Sequence, residues 1–414
     1  MRMTNRGGRK CLPGILLAIA LGSAAAFGDP AEPRLELESL VQEALENNPD
    51  IQAARQRLEA ASALIPQVRT LPDPKINLGY REVVEREAMY GVSQEIPFPG
   101  KLGLRGEVAA SEADRTEQEY LAVRLNVQAR LKEAFYDLHL VHKALEIVRK
   151  NLILLQNFEK TAKARYMVGQ GTQQDVFRAQ TEISRVLQRL AILEQQGKSL
   201  RAEINRILRH PPTHPLGIPQ EIEVTPLAHG PEDIQVLAEH AAPLLRAQVK
   251  SIERSENTLA LAKREYFPDF EVSALGWRNE TMNRDGYQVM LSVKVPLYYA
   301  DKQRYGVKQA VAGKQAAMQD WWAIKQALAA RVQDNLARTE RAEELVKLLA
   351  HALIPQARLT LASAQASYAV GKVDFLTLLN SLLTLQENEI ELHREMTEHE
   401  KALARIEEII GERP

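Results

Sequence analysis

Two hydrophobic patterns alternate along this chain, and the shorter one predicts four strands. Apolar and polar residues alternate over stretches of about nine residues, which is typical of strands with one apolar and one wet face. These stretches lie at residues 75–83, 89–97, 270–279 and 287–296. The third is the least regular, because Leu275 and Trp277 share a face with Glu271 and Ser273.

The longer pattern predicts coiled-coil helices, because apolar residues recur at intervals of three and four. One apolar seam consists of Val176, Ala179, Ile183, Val186, Leu190, Leu193, Leu200, Ile204 and Ile207. The other consists of Leu378, Leu382, Leu385, Leu392, Met396, Leu403, Ile406 and Ile410. No proline stands between Pro99 and Pro211, so residues 101–168 are expected to form one helix about 100 Å long. A rod of that length suits an assembly better than a compact domain.

The chain is internally duplicated. The segment from Glu46, ENNPDIQAAR, resembles EHAAPLLRAQ from Glu239, and the segment from Ala164, ARYMVGQ, resembles ASYAVGK from Ala366. Between them, the strand regions match in the same order: LPDPKINLGY resembles FPDFEVSALGW, and SQEIPF resembles SVKVPL. Because the period is far longer than a solenoid unit, it indicates duplication of a half-molecule.

This duplication predicts the domain organisation. The first half, residues 29–210, contains a helix, two strands and a long helical hairpin over 101–209. Residues 211–231 are rich in proline and form the linker between the halves. The second half, residues 232–414, repeats the order and ends in a hairpin over 302–411.

Residues 1–28 are predicted to be a signal peptide. Basic residues precede an apolar run that begins at Ile15, and small residues follow it. An uncleaved N-terminal anchor is the alternative. The only cysteine, Cys11, precedes the apolar run, so no lipid anchor is expected. The mature chain would have no thiol, which excludes disulfides and cysteine nucleophiles.

Charge and motif content argue against several functions. The formal net charge of −1 gives no electrostatic support for binding nucleic acid. The sequence shows no constellation of a nucleophile and a base, so we predict that the protein is not an enzyme and uses no cofactor. His139 and His142 lie one helical turn apart, but no third ligand is evident nearby, which favours a solvated helix face over a metal site.

The four strands suit a membrane barrel with a wet lumen in length and in pattern. Ordinary hairpins packed on helices are the alternative. Because the smallest membrane barrels use about eight strands, a barrel would require several chains. The residues Pro97 and Pro99 would then turn the chain from the barrel wall into the long helix.

The repeated order of strands and helices, the SQEIPFPGK corner and the RYMVGQGTQQDV turn together resemble the TolC-like outer-membrane efflux proteins. The resemblance covers essentially the whole mature chain. It implies a mainly α fold with a membrane β-barrel, in which a homotrimer shares twelve strands above a long α-helical coiled-coil barrel. It also implies that the protein lies in the outer membrane of a Gram-negative cell and that its helices span the periplasm.

The resemblance assigns two kinds of site to the turns between the long helices. A periplasmic adaptor would dock at Arg165, Val168, Gly169, Gly171, Thr172, Tyr368, Val370, Gly371 and Lys372. The periplasmic gate would involve Asp175, Tyr368, Asp374, Thr377 and Asn380, with a link between Asp175 and Tyr368 contributing to closure. Thr377 and Asn380 replace aspartates that some relatives carry there, which argues against a uniform acidic iris.

The predicted function is therefore a passive export channel in a three-part efflux system. Its partners would be the adaptor, outer-membrane lipid and an inner-membrane pump of the proton-driven resistance-nodulation-division type. The sequence is most similar in character to family members that serve cobalt–zinc–cadmium or copper exporters. The alternatives are a type I secretion channel and a soluble periplasmic coiled-coil scaffold.

Overall fold

The computed structural model describes residues 34–82 and 86–412. The predicted signal peptide, with Cys11, lies outside the described residues. In chain order, the elements are β1 (Arg34–Leu35), α1 (Leu37–Asn47), α2 (Pro49–Arg69), β2 (Lys75–Glu82), β3 (Arg86–Ile96), α3 (Lys101–Met167), α4 (Gln173–Ile207), β4 (Ile218–Pro219), α5 (Pro231–Ala241), α6 (Pro243–Arg264), β5 (Asp269–Asn279), β6 (Arg284–Lys294), α7 (Gln303–Leu348), α8 (Ile354–Ala369) and α9 (Phe375–Ile410).

Four strands form one antiparallel sheet in the order β2-β3-β5-β6. The hairpin of each half lies beside the other, and the two hairpins have the same register. Lys75 lies opposite Ser93 in the first hairpin, and Glu271 lies opposite Ser292 in the second. Strand β6 begins earlier than the predicted 287–296, because its pairing with β5 extends to Arg284 opposite Asn279 at the turn. It ends at Lys294, which lies opposite Asp269, the first residue of β5.

The helix α3 is continuous over 67 residues, which corresponds to about 100 Å. It starts next to the sheet, where Gly100 has a φ of 93° that favours glycine. It ends at Met167, so the sheet and the far ends of the long helices lie at opposite ends of the chain's fold. Beside the sheet, α2 packs on α3, α3 on α6 and α6 on α7.

The two predicted apolar seams are confirmed as core. Val176, Ala179 and Val186 of α4 are buried in one cluster with Leu378 and Leu382 of α9. Two further clusters lie nearer the middle of the helices, one around α1 and α3 and the other around α5 and α7. The core is therefore a series of helix–helix seams along the rods.

The second half differs from the first in one long helix. Residues Leu349–Leu353 form a turn of π-helix between α7 and α8, and Pro355 follows at the start of α8. Proline has no backbone N–H, so it interrupts the hydrogen-bond ladder at this point. The predicted hairpin over 302–411 does not include this interruption.

The linker between the halves packs against the helices. Its strand β4 pairs in parallel with β1, and the carbonyl of Gln220 lies 3.0 Å from Nδ1 of His139. The prediction that His139 lies on a solvated helix face is wrong, because the linker covers this part of α3 and leaves the residue 2 % exposed. His142 is half-buried and its Nε2 lies 3.4 Å from Glu146.

Candidate functional site

The first candidate site is the turn between α3 and α4, which we call tip 1 (Arg165–Asp175). The backbone N–H of Gly169 donates to the carbonyl of Tyr166 at 3.0 Å, and that of Gln170 donates to the carbonyl of Arg165 at 2.9 Å. This pair of bonds closes a helix in a Schellman motif, which requires positive φ at the residue after the cap. Gly169 supplies it with a φ of 75°.

The following helix begins with a capping box. The hydroxyl of Thr172 accepts from the backbone N–H of Asp175 at 3.3 Å, and the Asp175 carboxylate accepts from the backbone N–H of Thr172 at 3.4 Å. These bonds satisfy two of the free N–H groups at the start of α4. Both residues therefore have a structural role that is sufficient to fix the shape of tip 1.

The turn between α8 and α9, which we call tip 2 (Tyr368–Asp374), repeats this construction. Gly371, with a φ of 78°, donates to the carbonyl of Tyr368 at 3.1 Å, and Lys372 donates to the carbonyl of Ser367 at 2.9 Å. Asp374 caps α9 by accepting from the backbone N–H of Thr377 at 2.9 Å. The hydroxyl of Thr377 also donates to the Asp374 carboxylate. This hydrogen bond is the main cause of the lowered pKa of Asp374.

Arg165 joins the two tips. Its guanidinium donates to the carbonyl oxygen of Tyr368 across the interface and to the carbonyl of Gln170 in its own tip at 3.1 Å. It also lies 4.7 Å from the centroid of the Tyr368 ring, within the range of a cation–π contact. Arg165 is one of the predicted docking residues, and the sequence gives no sign of its connection to Tyr368.

Tyr368 lies inside the tip and not on its surface. The residue is 4 % exposed, and its ring packs edge-on against Phe375 at a centroid distance of 5.7 Å. Burial raises the pKa of Tyr368, and the charge of Asp175 raises it further. Among the described residues its hydroxyl has no hydrogen-bond partner. Within the described residues no hydrogen bond joins Tyr368 to Asp175, whose carboxylate accepts from the backbone N–H of Thr172.

The surface of the tips is formed by other residues. Val168 is 66 % exposed and Val370 is 69 % exposed, although both are apolar. Gly371 and Lys372 are exposed beside Val370, and Gly171 is half-buried beside the exposed Thr172. Met167, which belongs to the RYMVGQGTQQDV turn, completes the apolar surface of tip 1 and is 79 % exposed.

The gate candidates Thr377 and Asn380 lie on an exposed face of α9. They line a groove between α8 and α9 together with Thr384 and Asn388. No charged residue lines this groove. The groove therefore presents a strip of polar but uncharged side chains at Thr377, Asn380, Thr384 and Asn388.

At the other end of α3, a buried cation fixes the corner between the sheet and the helices. The ammonium of Lys101, whose side chain is 1 % exposed, lies 2.9 Å from Asp269 and 3.2 Å from Glu265. It also donates to the carbonyl of Phe267 at 3.0 Å, and the backbone N–H of Phe98 donates to Asp269 at 2.8 Å. The corner of the first half is thereby tied to that of the second.

The two faces of the sheet differ sharply in polarity. One face is exposed and apolar, and we call it the apolar sheet face: Ile76, Leu78, Tyr90, Val92, Tyr287, Val289, Leu291 and Val293. The opposite face carries mainly polar side chains: Asn77, Arg81, Glu87, Ser93, Glu95, Glu271, Ser273, Gln288, Ser292 and Lys294. An exposed apolar surface of this extent marks contact with lipid or with another protein.

No helix in the described part of the chain is both long and apolar enough to cross a membrane. Residues 34–82 and 86–412 contain no group of three or more His, Cys, Asp or Glu side chains arranged to hold a metal ion.

Comparison with known proteins gives consistent results. The family model described as outer membrane efflux protein matches residues 40–208 and 235–412, one match in each half. The cobalt-zinc-cadmium resistance protein CzcC of Cupriavidus metallidurans is 21 % identical over 405 residues, 95 % of each chain. Among solved structures, CusC has a TM-score of 0.80 at 15 % identity, covering 93 % of this chain and 95 % of its own.

The outer membrane protein VceC of Vibrio cholerae has a TM-score of 0.79 at 17 % identity, covering 91 % of this chain and 96 % of its own. The fold is thus that of the outer-membrane channels. The chain belongs to the outer membrane efflux protein family, and it is an outer-membrane efflux channel.

Proposed function

We propose that three copies of this chain form one continuous conduit, with a twelve-stranded barrel in the outer membrane and a helical tunnel in the periplasm. The observation that carries this proposal is the four-stranded sheet with an exposed apolar face and one unpaired edge on each side. Four strands are too few to close a membrane barrel. The apolar sheet face would contact lipid, and the polar face would line a water-filled lumen.

The tips are proposed as the docking site of a periplasmic adaptor that links the conduit to an inner-membrane pump of the resistance-nodulation-division type. Val168 and Val370 support this, because each is an exposed apolar residue at the end of a rigid, capped hairpin. Lys372 adds a positive charge beside Val370. An adaptor surface with apolar and acidic residues would complement the two tips.

The gate is proposed to be held closed by contacts between the tips. The Arg165–Tyr368 contact supports this role, because it connects the α3–α4 hairpin to the α8–α9 hairpin. Asp175 would act through its charge near the buried Tyr368 ring. The uncharged strip that includes Thr377 and Asn380 would face the constriction, and Asp374 would stay at the cap of α9.

Divalent transition-metal cations are the proposed substrate class. The similarity to CzcC, a cobalt-zinc-cadmium resistance protein, supports this assignment. Conduction would be passive, with the direction of transport set by the pump. A polar lumen without fixed metal ligands would let cations pass without holding them.

The conduit is tested by reconstituting the purified full chain into planar bilayers. Discrete conductance steps from a trimeric preparation support the proposal, and a preparation that never conducts contradicts it.

Docking is tested in the same preparation with Val168→Asp/Val370→Asp. This variant is expected to conduct as the unmodified chain does but to lose capture by the adaptor. Glu340→Gln, an exposed change away from both tips, serves as the control.

The substrate is tested in a host strain from which the gene has been deleted. Returning the unmodified chain is expected to restore growth in Zn²⁺, Co²⁺ and Cd²⁺, and the tip variant is expected to fail although it reaches the outer membrane. Recovery of tolerance to organic toxicants without any change in metal tolerance would contradict the assignment of substrate and leave the channel function intact.

A further inference from the structure

We propose that β6 of one copy pairs with β2 of the next copy in one defined register, with Ser292 opposite Asn77. This inference rests on the proposed function, because it assumes that copies of the chain close a common barrel. It adds which residues pair at the strand seam, by which we mean the boundary between two neighbouring hairpins of the barrel. The partner is a second copy of this chain.

The two edge strands, β2 and β6, differ from the inner strands in exposure and in pairing, which indicates that each binds a further strand. All eight residues of β2 are exposed, and every residue of β6 is exposed except the half-buried Gly286. Within the described residues each of these strands is paired on one side only. Exposed strand edges with apolar side chains are a template for pairing with another chain. The all-antiparallel order lets β6 and β2 of successive copies meet antiparallel.

The internal duplication provides the template for that seam. The two halves align with Pro72 at Pro268 and Pro97 at Pro296. Carried along the strands, this alignment makes Lys75 equivalent to Glu271, and Ser93 equivalent to Ser292. The structure supports these equivalences independently, because Lys75 lies opposite Ser93 and Glu271 lies opposite Ser292.

The seam inside the chain joins β3 of the first half to β5 of the second half, with Ser93 opposite Ser273. The seam between copies joins β6, the counterpart of β3, to β2, the counterpart of β5. By the same alignment Ser93 corresponds to Ser292, and Ser273 corresponds to Asn77. A barrel in which every seam has the same geometry therefore places Ser292 opposite Asn77 of the next copy.

This register keeps the two faces of the sheet continuous across the seam. On the apolar sheet face it places Leu291 opposite Leu78 and Val293 opposite Ile76 of the next copy. Such apolar cross-strand pairs stabilise a sheet. It also places Lys294 opposite Lys75, an unfavourable like-charge pair, although Asp269 lies opposite Lys294 on its other side.

Polarity alone does not select this register, because a shift by two residues keeps every side chain on its own face. A shift in one direction would place Ser292 opposite Lys75, and a shift in the other would place it opposite Gly79. The duplication is the observation that distinguishes the three registers.

The alignment also determines whether Ser292 and Asn77 form a hydrogen-bonded or a non-hydrogen-bonded pair. The backbone N–H of Glu280 donates to the carbonyl of the opposite residue, Arg86, at 2.8 Å, so this is a hydrogen-bonded pair. Hydrogen-bonded and non-hydrogen-bonded pairs alternate along antiparallel strands, so Ser93 and Ser273 form a non-hydrogen-bonded pair. Ser292 and Asn77 inherit that geometry, with Cα atoms about 4.5 Å apart, a separation that a disulfide can bridge.

The helices next to the sheet support the same closure. Their order, α2-α3-α6-α7, follows that of the strands to which they connect. The contact of α3 with α6 includes Arg254 with Glu112 at 3.0 Å and Asn257 with Ser111 at 3.2 Å. By the duplication, α7 of one copy meets α2 of the next copy at the corresponding place.

Disulfide formation tests the register directly, because Cys11 is the only natural cysteine. In a Cys11→Ser background, the pair Asn77→Cys/Ser292→Cys is compared with the shifted pairs Lys75→Cys/Ser292→Cys and Gly79→Cys/Ser292→Cys. The matched control is Ser93→Cys/Ser273→Cys, which has the same pair geometry inside one chain. Membranes are treated with a mild oxidant, and the products are separated on non-reducing gels.

The pair Asn77→Cys/Ser292→Cys is expected to give covalent dimers and trimers at least tenfold faster than either shifted pair. The control is expected to lose its free thiols without forming larger species. Faster linking of a shifted pair, or a native trimer of Asn77→Cys/Ser292→Cys that stays unlinked, would overturn the register but keep the proposed conduit. A monomeric native mass with no linking in any pair would overturn both.

Discussion

The guanidinium of Arg165 covers the ring of Tyr368 and donates a hydrogen bond to the carbonyl oxygen of the same residue. Arg165 lies in the last turn of α3, and Tyr368 lies in the last turn of α8. The contact therefore joins the two hairpins where they end. A Cβ atom at Gly371 would come within 3.1 Å of the guanidinium, so the glycine also leaves room for Arg165.

Replacing Arg165 is expected to loosen the contact between the tips that we propose holds the gate closed. Arg165→Ala removes the hydrogen bonds to Tyr368 and Gln170, and it leaves the Tyr368 carbonyl without this partner. We expect a higher single-channel conductance and greater entry of large hydrophilic antibiotics. Arg165→Lys keeps the charge but not the planar fork, so it should give an intermediate result. Unchanged conductance in Arg165→Ala would contradict this role in the gate.

Replacing Tyr368 separates the role of its ring from that of its hydroxyl. Tyr368→Phe keeps the packing on Phe375 and the surface under Arg165, and it removes a hydroxyl that has no hydrogen-bond partner among the described residues. Its conductance and antibiotic leakage should be close to those of the unmodified channel. Tyr368→Ala should open the gate as Arg165→Ala does. Strong leakage in Tyr368→Phe would instead show that the hydroxyl takes part in closure, as the link to Asp175 requires.

Replacing Lys101 is expected to destabilise the corner between the sheet and the helices. Lys101→Met leaves Asp269 without its cation in a largely buried site, where breaking one side of an ion pair costs about 3 kcal/mol. The thermal stability of the assembled channel should fall markedly. Arg105→Met is the matched control, since its ion pair with Glu265 is long, at 3.9 Å, and its side chain is 39 % exposed. Equal effects of the two changes would contradict the structural role of Lys101.

Part of this architecture can be predicted from the sequence, and part depends on contacts between residues that lie far apart along the chain. The alternation of the strands, the seams of α4 and α9 and the duplication are local or repeated patterns, so they predict the elements and their order. The burial of Lys101 and His139 depends on Asp269 and Gln220, which lie far away along the chain. The contact of Arg165 with Tyr368 likewise joins opposite halves. No local pattern encodes such pairs, and the π-helical turn at Leu349–Leu353 has no simple sequence signature.

The stability of the helical region is expected to fall in mild acid. Burial lowers the pKa of His139 to about 4 from 6.5, and burial also lowers the pKa of His393, which faces it. Charged groups that also act on the pair are Lys143, Glu146, Glu221 and Glu389. Because the unfolded chain binds protons more readily, the stabilisation is complete above pH 6.5 and is lost progressively towards pH 4.

Between pH 7 and pH 5 the contribution of His139 should amount to about 1 to 2 kcal/mol per chain. Thermal unfolding followed by helical circular dichroism should therefore show a lower midpoint at pH 5. His139→Gln, whose amide can still donate to the Gln220 carbonyl, should show a shallower pH dependence, with a remaining slope from His393. A variant with the full slope of the unmodified protein would contradict this assignment.

We propose that three copies of this chain share one barrel in the outer membrane. The most direct measurement is the native mass of the full chain after detergent extraction from the separated outer-membrane fraction. The protein is expected in this fraction with the mass of three chains. A monomer or dimer recovered from the soluble periplasmic fraction would contradict it and would favour a coiled-coil scaffold instead.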